Sequence, residues 1–218
     1  MLYNSETAAQ LAEFLLQIKA IKLQPSKPFI WASGWKSPIY CDNRLTLSYP
    51  RVRTFIRQQL SKAIADHFEL PDVIAGVATG GIAHGALVAQ ELGLPFVYIR
   101  SASKGHGMEN LIEGKVEKGQ TVVVVEDLIS TGQSSLKAVN ALRDAGGIVK
   151  GLVSIFDYGF EVASTNFRNE KCPYFSLSDY DSLLDQALKS EYISAEELKP
   201  LRAWRSNPES WGSTLKIA

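Results

Sequence analysis

The segment from Thr121 to Ser134 constrains the fold of this chain more than any other, and it reads TVVVVEDLISTGQS in one-letter code. Four consecutive valines predict a strand buried on both faces, as in the interior of a parallel sheet. Two carboxylates, Glu126 and Asp127, follow at the carboxyl end of that strand, where open α/β sheets bind their ligands. A hydroxyl-rich turn then leads into an amphipathic helical pattern that ends at the Gly146-Gly147 pair.

The turn between this strand and helix is suited to an anion. The first N–H groups of a helix lack partners within the helix, and the positive end of the helix dipole adds to their attraction. Carboxylates beside such a cradle can accept hydrogen bonds from hydroxyl groups. A ribose 5-phosphate has both features, so the segment predicts a ligand of this type.

Composition sets broad limits on the function. With 218 residues and 45% hydrophobic content, the chain can bury one core, with room for a small flanking subdomain. Its formal net charge of zero argues against nucleic acid or an acidic membrane surface as a partner. No apolar run approaches the roughly 20 residues of a membrane helix. The isolated Cys41 and Cys172, and an N-terminus without a signal-peptide layout, lead us to expect a cytoplasmic protein.

Strand and helix patterns alternate through the middle of the chain. This alternation predicts an α/β fold with a parallel sheet flanked by helices. The strand candidates are 73–78, 96–100, 121–126 and 151–157, and the helical patterns between them are 82–92 and 134–145.

We expect one domain over residues 1–218. Its α/β core covers about 71–178, and a small hood is built mainly from residues 1–70 with part of the C-terminal tail. Thr7 with Gln10, and Ser194 with Glu197, have the spacing of helix-capping boxes near the two ends.

Three further motifs carry potential chemistry. Residues 76–82, GVATGGI, form a second glycine-rich junction of strand and helix, without the GxGxxG pattern of a Rossmann nucleotide site. Residues 100–107, RSASKGHG, gather three potential cations in a segment too rich in glycine for a stable helix or strand. Residues 32–44, ASGWKSPIYCDNR, form a turn-rich and aromatic stretch.

The segment 121–134 resembles the phosphoribosyl-pyrophosphate (PRPP) signature of type I phosphoribosyltransferases. By that resemblance Glu126 and Asp127 face the ribose 2′- and 3′-hydroxyls, residues 130–134 wrap the 5′-phosphate, and the loop 76–82 contacts pyrophosphate. The PRPP-binding residues implied are Arg100, Lys104, His106, Glu126, Asp127, Leu128, Ile129, Ser130, Thr131, Gly132, Gln133 and Ser134.

The other two motifs resemble those of one branch, the orotate phosphoribosyltransferases. The pattern R-x-x-x-K-x-H-G is similar to their mobile catalytic loop, here 101–114, and S-G-x-x-S-P-x-Y to the signature that lines their pyrimidine pocket. The second similarity implies that Tyr40 and Cys41 contact orotate, with Lys36 as a candidate phosphate contact. In the 121–134 segment, Ser130 aligns with the family's hydroxyl that contacts orotate, which implies the same contact here.

Membership in this branch implies the transfer of a phosphoribosyl group from PRPP to orotate, giving orotidine 5′-monophosphate and pyrophosphate. The catalytic residues would be Lys104, His106 and Asp127, with His106 donating either a proton or a hydrogen bond. The resemblance also implies Mg²⁺ held mainly by PRPP and water, and a homodimer with shared active sites.

Three alternatives differ in the features that they require. A purine phosphoribosyltransferase would not need the signature at 33–44. A PRPP-sensing regulator should lack the loop cations or carry a basic nucleic-acid face, and a Rossmann-type nucleotide binder needs a fingerprint that this sequence does not contain. We expect the remaining histidines, His67 and His84, to be structural.

Overall fold

The computed structural model describes residues 1–30, 34, 36–101 and 111–211. Its centre is a six-stranded sheet in the order β10-β9-β8-β5-β6-β7, parallel except for β7. The strands are β1 Ile21–Leu23, β2 Phe29–Ile30, β3 Lys36–Ser37, β4 Ile39–Cys41, β5 Val73–Val77, β6 Phe96–Ile99, β7 Ile112–Glu113, β8 Thr121–Ile129, β9 Ile148–Asp157 and β10 Tyr174–Asp179.

Helices cover both faces of this sheet, which confirms the predicted α/β fold. They are α1 Ser5–Gln17, α2 Pro50–Phe68, α3 Gly80–Leu92, α4 Gln133–Asp144, α5 Glu161–Asn169, α6 Tyr180–Lys189, α7 Ala195–Ser206 and α8 Pro208–Trp211, with a 3₁₀ helix at Asn43–Ser48. None of the helices in the described part of the chain combines the length and apolar character needed to cross a membrane.

The valines of β8 explain why this strand is central. Val123 and Val125 belong to the core cluster that includes α1, α2 and α6, whereas Val122 and Val124 belong to the cluster beneath α4 and α5. Alternate residues of a strand point to opposite faces, so a strand covered on both sides needs apolar residues throughout. The four valines satisfy that requirement and are fully buried.

The two predicted capping boxes had different outcomes. Helix α7 begins with the box at Ser194, whose hydroxyl accepts from the Glu197 N–H while the Glu197 carboxylate accepts from the Ser194 N–H. At the N-terminus the prediction was wrong, because Asn4 caps α1 and its Oδ1 accepts from the Thr7 N–H at 2.8 Å. Asparagine is as good a cap as threonine, and it lies one turn earlier.

The stretch before α2 contains small sheets where the sequence pattern showed only turns. Strand β1 pairs with β4, β2 pairs with β3, and both pairs are antiparallel. Helix α8, near the C-terminus, packs against β3. The division into a hood and a core stays a prediction, since both parts share one continuous hydrophobic cluster.

Candidate functional site

The carboxyl ends of β5, β6 and β8 meet at one edge of the sheet. These strands are parallel neighbours, with Gly76 opposite Val125 and Val77 opposite Ile99. Their continuations therefore bring together three of the sequence motifs, namely the glycine-rich turn after β5, Arg100 after β6 and the acidic pair of β8. This convergence places the candidate site where parallel α/β sheets bind ligands.

The two carboxylates of the acidic pair lie in different environments. Glu126 is only 4% exposed, and its oxygens accept hydrogen bonds from the Ser135 hydroxyl at 2.8 Å and the Asp127 N–H at 3.0 Å. Burial, and secondly the neighbouring Asp127 carboxylate, raises the pKa of Glu126 well above its usual range. Asp127 is only partly buried. Asp127 is therefore the more accessible of the two to a ribose hydroxyl, and the ribose contact of Glu126 stays a prediction.

The glycine-rich turn after β5 approaches β8 very closely. A Cβ added at Gly80 would overlap the Asp127 carboxylate, and one added at Gly81 would lie 2.5 Å from the Val125 carbonyl oxygen. Only glycine, which has no Cβ, lets the turn come this close to the β8 backbone and to the Asp127 carboxylate. The start of α3 is thereby held beside the acidic pair, where its N–H groups can face an anion.

The predicted phosphate turn lies between β8 and α4. Gly132 has a φ of 77° and caps α4, which begins at Gln133. The carbonyl oxygen of Thr131 accepts a hydrogen bond at 3.0 Å from the side-chain amide of Asn166 on α5. The turn is therefore held from outside by α5, while Gln133 and Ser134 at the first turn of α4 remain exposed.

A residue of the predicted hood contributes a second side-chain amide that binds this part of the chain. Asn43, at the start of the 3₁₀ helix, donates from Nδ2 to the carbonyl oxygen of Asp127 at 2.6 Å, and its Oδ1 accepts from the Cys41 thiol at 3.4 Å. Tyr40, which directly precedes Cys41, is 41% exposed. The structure thus brings the hood motif to the acidic pair. The residue that makes the link, Asn43, is one to which the sequence motifs assigned no role.

His84 lies behind this contact, on α3, and is 1% exposed. Its Nε2 is 3.3 Å from the hydroxyl of Thr46, which itself donates to the Asn43 carbonyl oxygen at 2.5 Å. Burial lowers the pKa of His84 to about 4, so its imidazole is neutral near pH 7. A neutral histidine packed between two elements fits the predicted structural role.

Comparison with known proteins agrees with this geometry. The phosphoribosyl transferase domain family matches residues 50–182. The chain is 54% identical over 202 residues to an orotate phosphoribosyltransferase of Porphyromonas gingivalis, covering 93% of this chain and 96% of that protein. The chain belongs to the orotate phosphoribosyltransferase family. The predicted family and enzyme class are therefore confirmed.

Solved structures place the fold in the same family. The orotate phosphoribosyltransferase of Aeropyrum pernix is 29% identical, with a TM-score of 0.74 over 84% of this chain and 99% of that one. The Mycobacterium tuberculosis orotate phosphoribosyltransferase, solved in complex with PRPP, is 27% identical, with a TM-score of 0.63 over 80% of this chain and 97% of that one. The predicted type I phosphoribosyltransferase fold is confirmed.

The predicted catalytic loop lies partly outside the described residues. Lys104 and His106 lie outside the described residues, whereas both ends of the loop are described. Arg100 donates its N–H to the Leu111 carbonyl at 2.8 Å, and its Nη1 is 3.6 Å from a carboxylate oxygen of Glu113 on β7. The loop of this orotate phosphoribosyltransferase family member therefore begins and ends on the antiparallel β6–β7 pair at the sheet edge.

Proposed function

We propose that this chain transfers the 5-phosphoribosyl group of PRPP to orotate, giving orotidine 5′-monophosphate and pyrophosphate. One observation carries the proposal: the hood motif, the Asp127 carboxylate and the turn before α4 meet at one edge of the sheet, joined by the Asn43–Asp127 hydrogen bond. A base pocket, a ribose site and a phosphate site must lie this close for a nucleotide to form across them. Relatives that carry this activity in their names align over almost the whole chain.

Each substrate group then has a place in the site. Residues 130–134 and the N-terminus of α4 would hold the 5′-phosphate, with Leu128 and Ile129 supporting the turn. Asp127 would accept hydrogen bonds from the ribose hydroxyls, and the backbone of the turn at Gly80 would face pyrophosphate. Orotate would lie toward the hood, against Tyr40, Cys41 and Ser130.

The reaction asks mainly for alignment. The C1′–O bond to pyrophosphate breaks, the bond from the orotate nitrogen to C1′ forms, and the sugar carries positive charge between these events. Holding both reactants in line can lower the barrier by roughly 7–11 kcal/mol. The hydrogen bonds that hold the end of β8 to Asn43, through the Asp127 carbonyl, and the turn before α4 to Asn166, through the Thr131 carbonyl, support such alignment.

The charge that develops on pyrophosphate needs a cation. We propose Lys104 for this role, with Arg100 contributing to PRPP binding and His106 donating a proton or a hydrogen bond to the leaving group. Closure of the 101–114 segment would bring both side chains to the site and keep water from the sugar cation.

Mg²⁺ and a second subunit belong to the proposal. Among the described residues no group of three or more His, Cys, Asp or Glu side chains could hold a metal. The Mg²⁺ ion would be held mainly by PRPP oxygens and water, and it would neutralise phosphate charge. Asp127, a partly exposed carboxylate at the same site, is compatible with such an ion. A homodimer with shared active sites is also proposed, and a cytoplasmic location stays a prediction.

The deciding test is the loss of orotate ultraviolet absorbance with purified protein, PRPP and Mg²⁺. Uracil, hypoxanthine and adenine are run in parallel with detection of each product. Loss of orotate that requires both PRPP and Mg²⁺ is expected. Turnover of a purine instead would overturn the assignment of the pocket, and tight binding of PRPP without turnover of any base would indicate a PRPP sensor.

A further inference from the structure

We propose that Asn43 is a positioning residue that couples the base pocket in the hood to the ribose-binding carboxylate of Asp127. This inference rests on the proposed function and assigns a role to a residue of the 33–44 signature to which the family resemblance gave none. It predicts that the side-chain amide of Asn43 is needed for catalysis because it donates a hydrogen bond, and not merely because it fills space.

The contact of Asn43 with Asp127 joins distant parts of the chain. The two residues are 84 positions apart, and Asn43 is 1% exposed. Strand β5 pairs with β8 only as far as Gly76 and Val125, whereas β9 stays paired with β8 as far as Ile129 and Asp157. The Asp127 carbonyl thus lies past the end of the β5 ladder, and the Asn43 amide adds a donor to it from outside the sheet.

Asn43 also holds the hood on its other side. Its Oδ1 accepts from the thiol of Cys41, which directly follows the exposed Tyr40 of the predicted base pocket. Its backbone carbonyl accepts from Thr46, and the Thr46 hydroxyl contacts His84 on α3. One side chain therefore fixes the acidic pair relative to the base pocket, with α3 packed behind it.

The donor role can be isolated by an isosteric change. Asn43→Asp keeps the shape and the position of Oδ1 and puts an oxygen in place of Nδ2, but an ionised carboxylate cannot donate to the Asp127 carbonyl, whereas a protonated one can. Burial, together with the carboxylates of Asp42 and Asp127, would place the pKa of the new acid above the usual aspartate range. The donor should therefore return as the pH falls.

Several surrounding groups titrate outside this pH range. His84 has a pKa of about 4, and the pKa of Asp42 is lowered by its partner Arg44 at 2.7 Å. Burial raises the pKa of Cys41 and of Tyr158, which lies near it, well above their usual ranges. Glu126, whose pKa burial and Asp127 raise well above its usual range, is common to the wild type and the variant, as is Asp127, so the variant is compared with the wild type at each pH.

The experiment measures kcat and KM for PRPP and orotate at pH 6.0 and pH 8.5, with thermal melting at both pH values to verify folding. Asn43→Asp should lose at least tenfold in kcat/KM for PRPP relative to wild type at pH 8.5, and should recover most of that loss at pH 6.0. Asn4→Asp is the matched control: Asn4 acts only as an acceptor in capping α1, so it should follow the wild type at both values.

Each outcome decides a separate point. An Asn43→Asp deficit that is absent, or equal at both pH values in folded protein, overturns the donor role. If that variant does not fold, Asn43→Ala replaces it and should lose at least tenfold at both pH values; wild-type kcat/KM in Asn43→Ala overturns the coupling. A wild type that does not consume orotate would instead overturn the proposed function itself.

Discussion

The carboxylate of Asp127 lies against the α-carbon of Gly80, so close that even a methyl group at position 80 would overlap it. The contact joins the turn after β5 to the end of β8, the two segments that we assign to pyrophosphate and ribose. The position of Asp127 is thus set from two sides, by Gly80 against its carboxylate and by Asn43 at its carbonyl. Variants that disturb either contact should therefore impair the same step of the reaction, the one that depends on the position of Asp127.

Gly80→Ala should weaken PRPP use by at least tenfold in kcat/KM, because the added methyl group must displace the Asp127 carboxylate or the start of α3. Steady-state kinetics with PRPP as the varied substrate measure the change. Gly93→Ala at the other end of α3 is the control. It has open space around it but a φ of 68°, so it should cost about 1 kcal/mol in stability without changing the PRPP dependence. Equal kinetic losses in both variants would contradict the steric argument.

Lys104→Ala should lower turnover by two or more orders of magnitude while leaving the melting temperature close to that of the wild type, because it removes the proposed cation from the leaving group. Lys115→Ala provides the comparison, since Lys115 is exposed and pairs with Glu117 at 2.7 Å. Both variants are assayed at saturating PRPP and orotate after their oligomeric state is matched to the wild type. Near-normal turnover of Lys104→Ala would refute the assignment of the loop.

Glu126→Gln should become more stable relative to the wild type as the pH rises. The folded protein holds the Glu126 proton to a higher pH than the unfolded chain does, because burial and Asp127 raise the pKa of Glu126. Above about pH 4.3 the unfolded chain releases that proton first, so the wild type loses stability as the pH rises toward the folded-state pKa. A glutamine has no proton to release.

Thermal melting at pH 5 and pH 8 measures this effect as the difference between Glu126→Gln and the wild type. Glu117→Gln is the control: Glu117 is exposed and Lys115 lowers its pKa, so this group is ionised in both the folded and the unfolded chain from pH 5 to pH 8, and its variant should show no change in the difference over that range. A stability difference for Glu126→Gln that stays constant between pH 5 and pH 8 would show that Glu126 is already ionised in the folded protein at pH 5.

His84 should make the protein less stable in mild acid. Its pKa is about 4 in the folded protein, against 6.5 ordinarily, so the unfolded chain takes up the proton first as the pH falls. The contribution amounts to about 2 kcal/mol lost between pH 7 and pH 5. Urea unfolding at both pH values measures the change. Between pH 7 and pH 5, the free energy of unfolding of His84→Gln should fall by that amount less than the free energy of unfolding of the wild type, and His67→Gln is the control for the substitution itself. An unchanged loss would contradict the pKa of His84.

The sequence patterns predicted the core of the fold because each central strand has a simple code. The valines of β8 specify burial on both faces, and the glycines at positions 80 and 81 specify close approach, so strand, turn and helix followed from local chemistry. Strand β10 reads as YFSLSD and mixes apolar residues with serines. Its serines are buried by partners far along the chain, such as Ser154 against Ser176 at 2.7 Å, which no local pattern can reveal.

In the candidate site, too, the sequence predicted residues whose chemistry is local and missed those that act through distant partners. Asp127 and the turn at 130–134 lie in one continuous motif whose residue types state their chemistry. Asn43 and Asn166 act through hydrogen bonds to backbone carbonyls, 84 and 35 positions away in the chain. An asparagine in a loop or helix carries no signal of which carbonyl it will meet, so only the folded arrangement identifies these two residues.

Helix α1 is synthesised long before two of the elements that it packs against. It packs against α6 and β10, and the Ser178 hydroxyl on β10 donates to the Ala8 carbonyl within the helix at 3.0 Å. At roughly 5–20 residues per second, a ribosome needs on the order of 10 to 30 seconds to synthesise the chain between α1 and the end of α6. Throughout that interval α1 can meet only β1 and α2 among these elements, and the part of its apolar side that packs against β10 and α6 stays uncovered. We therefore expect this segment of the nascent chain to be a target for a chaperone.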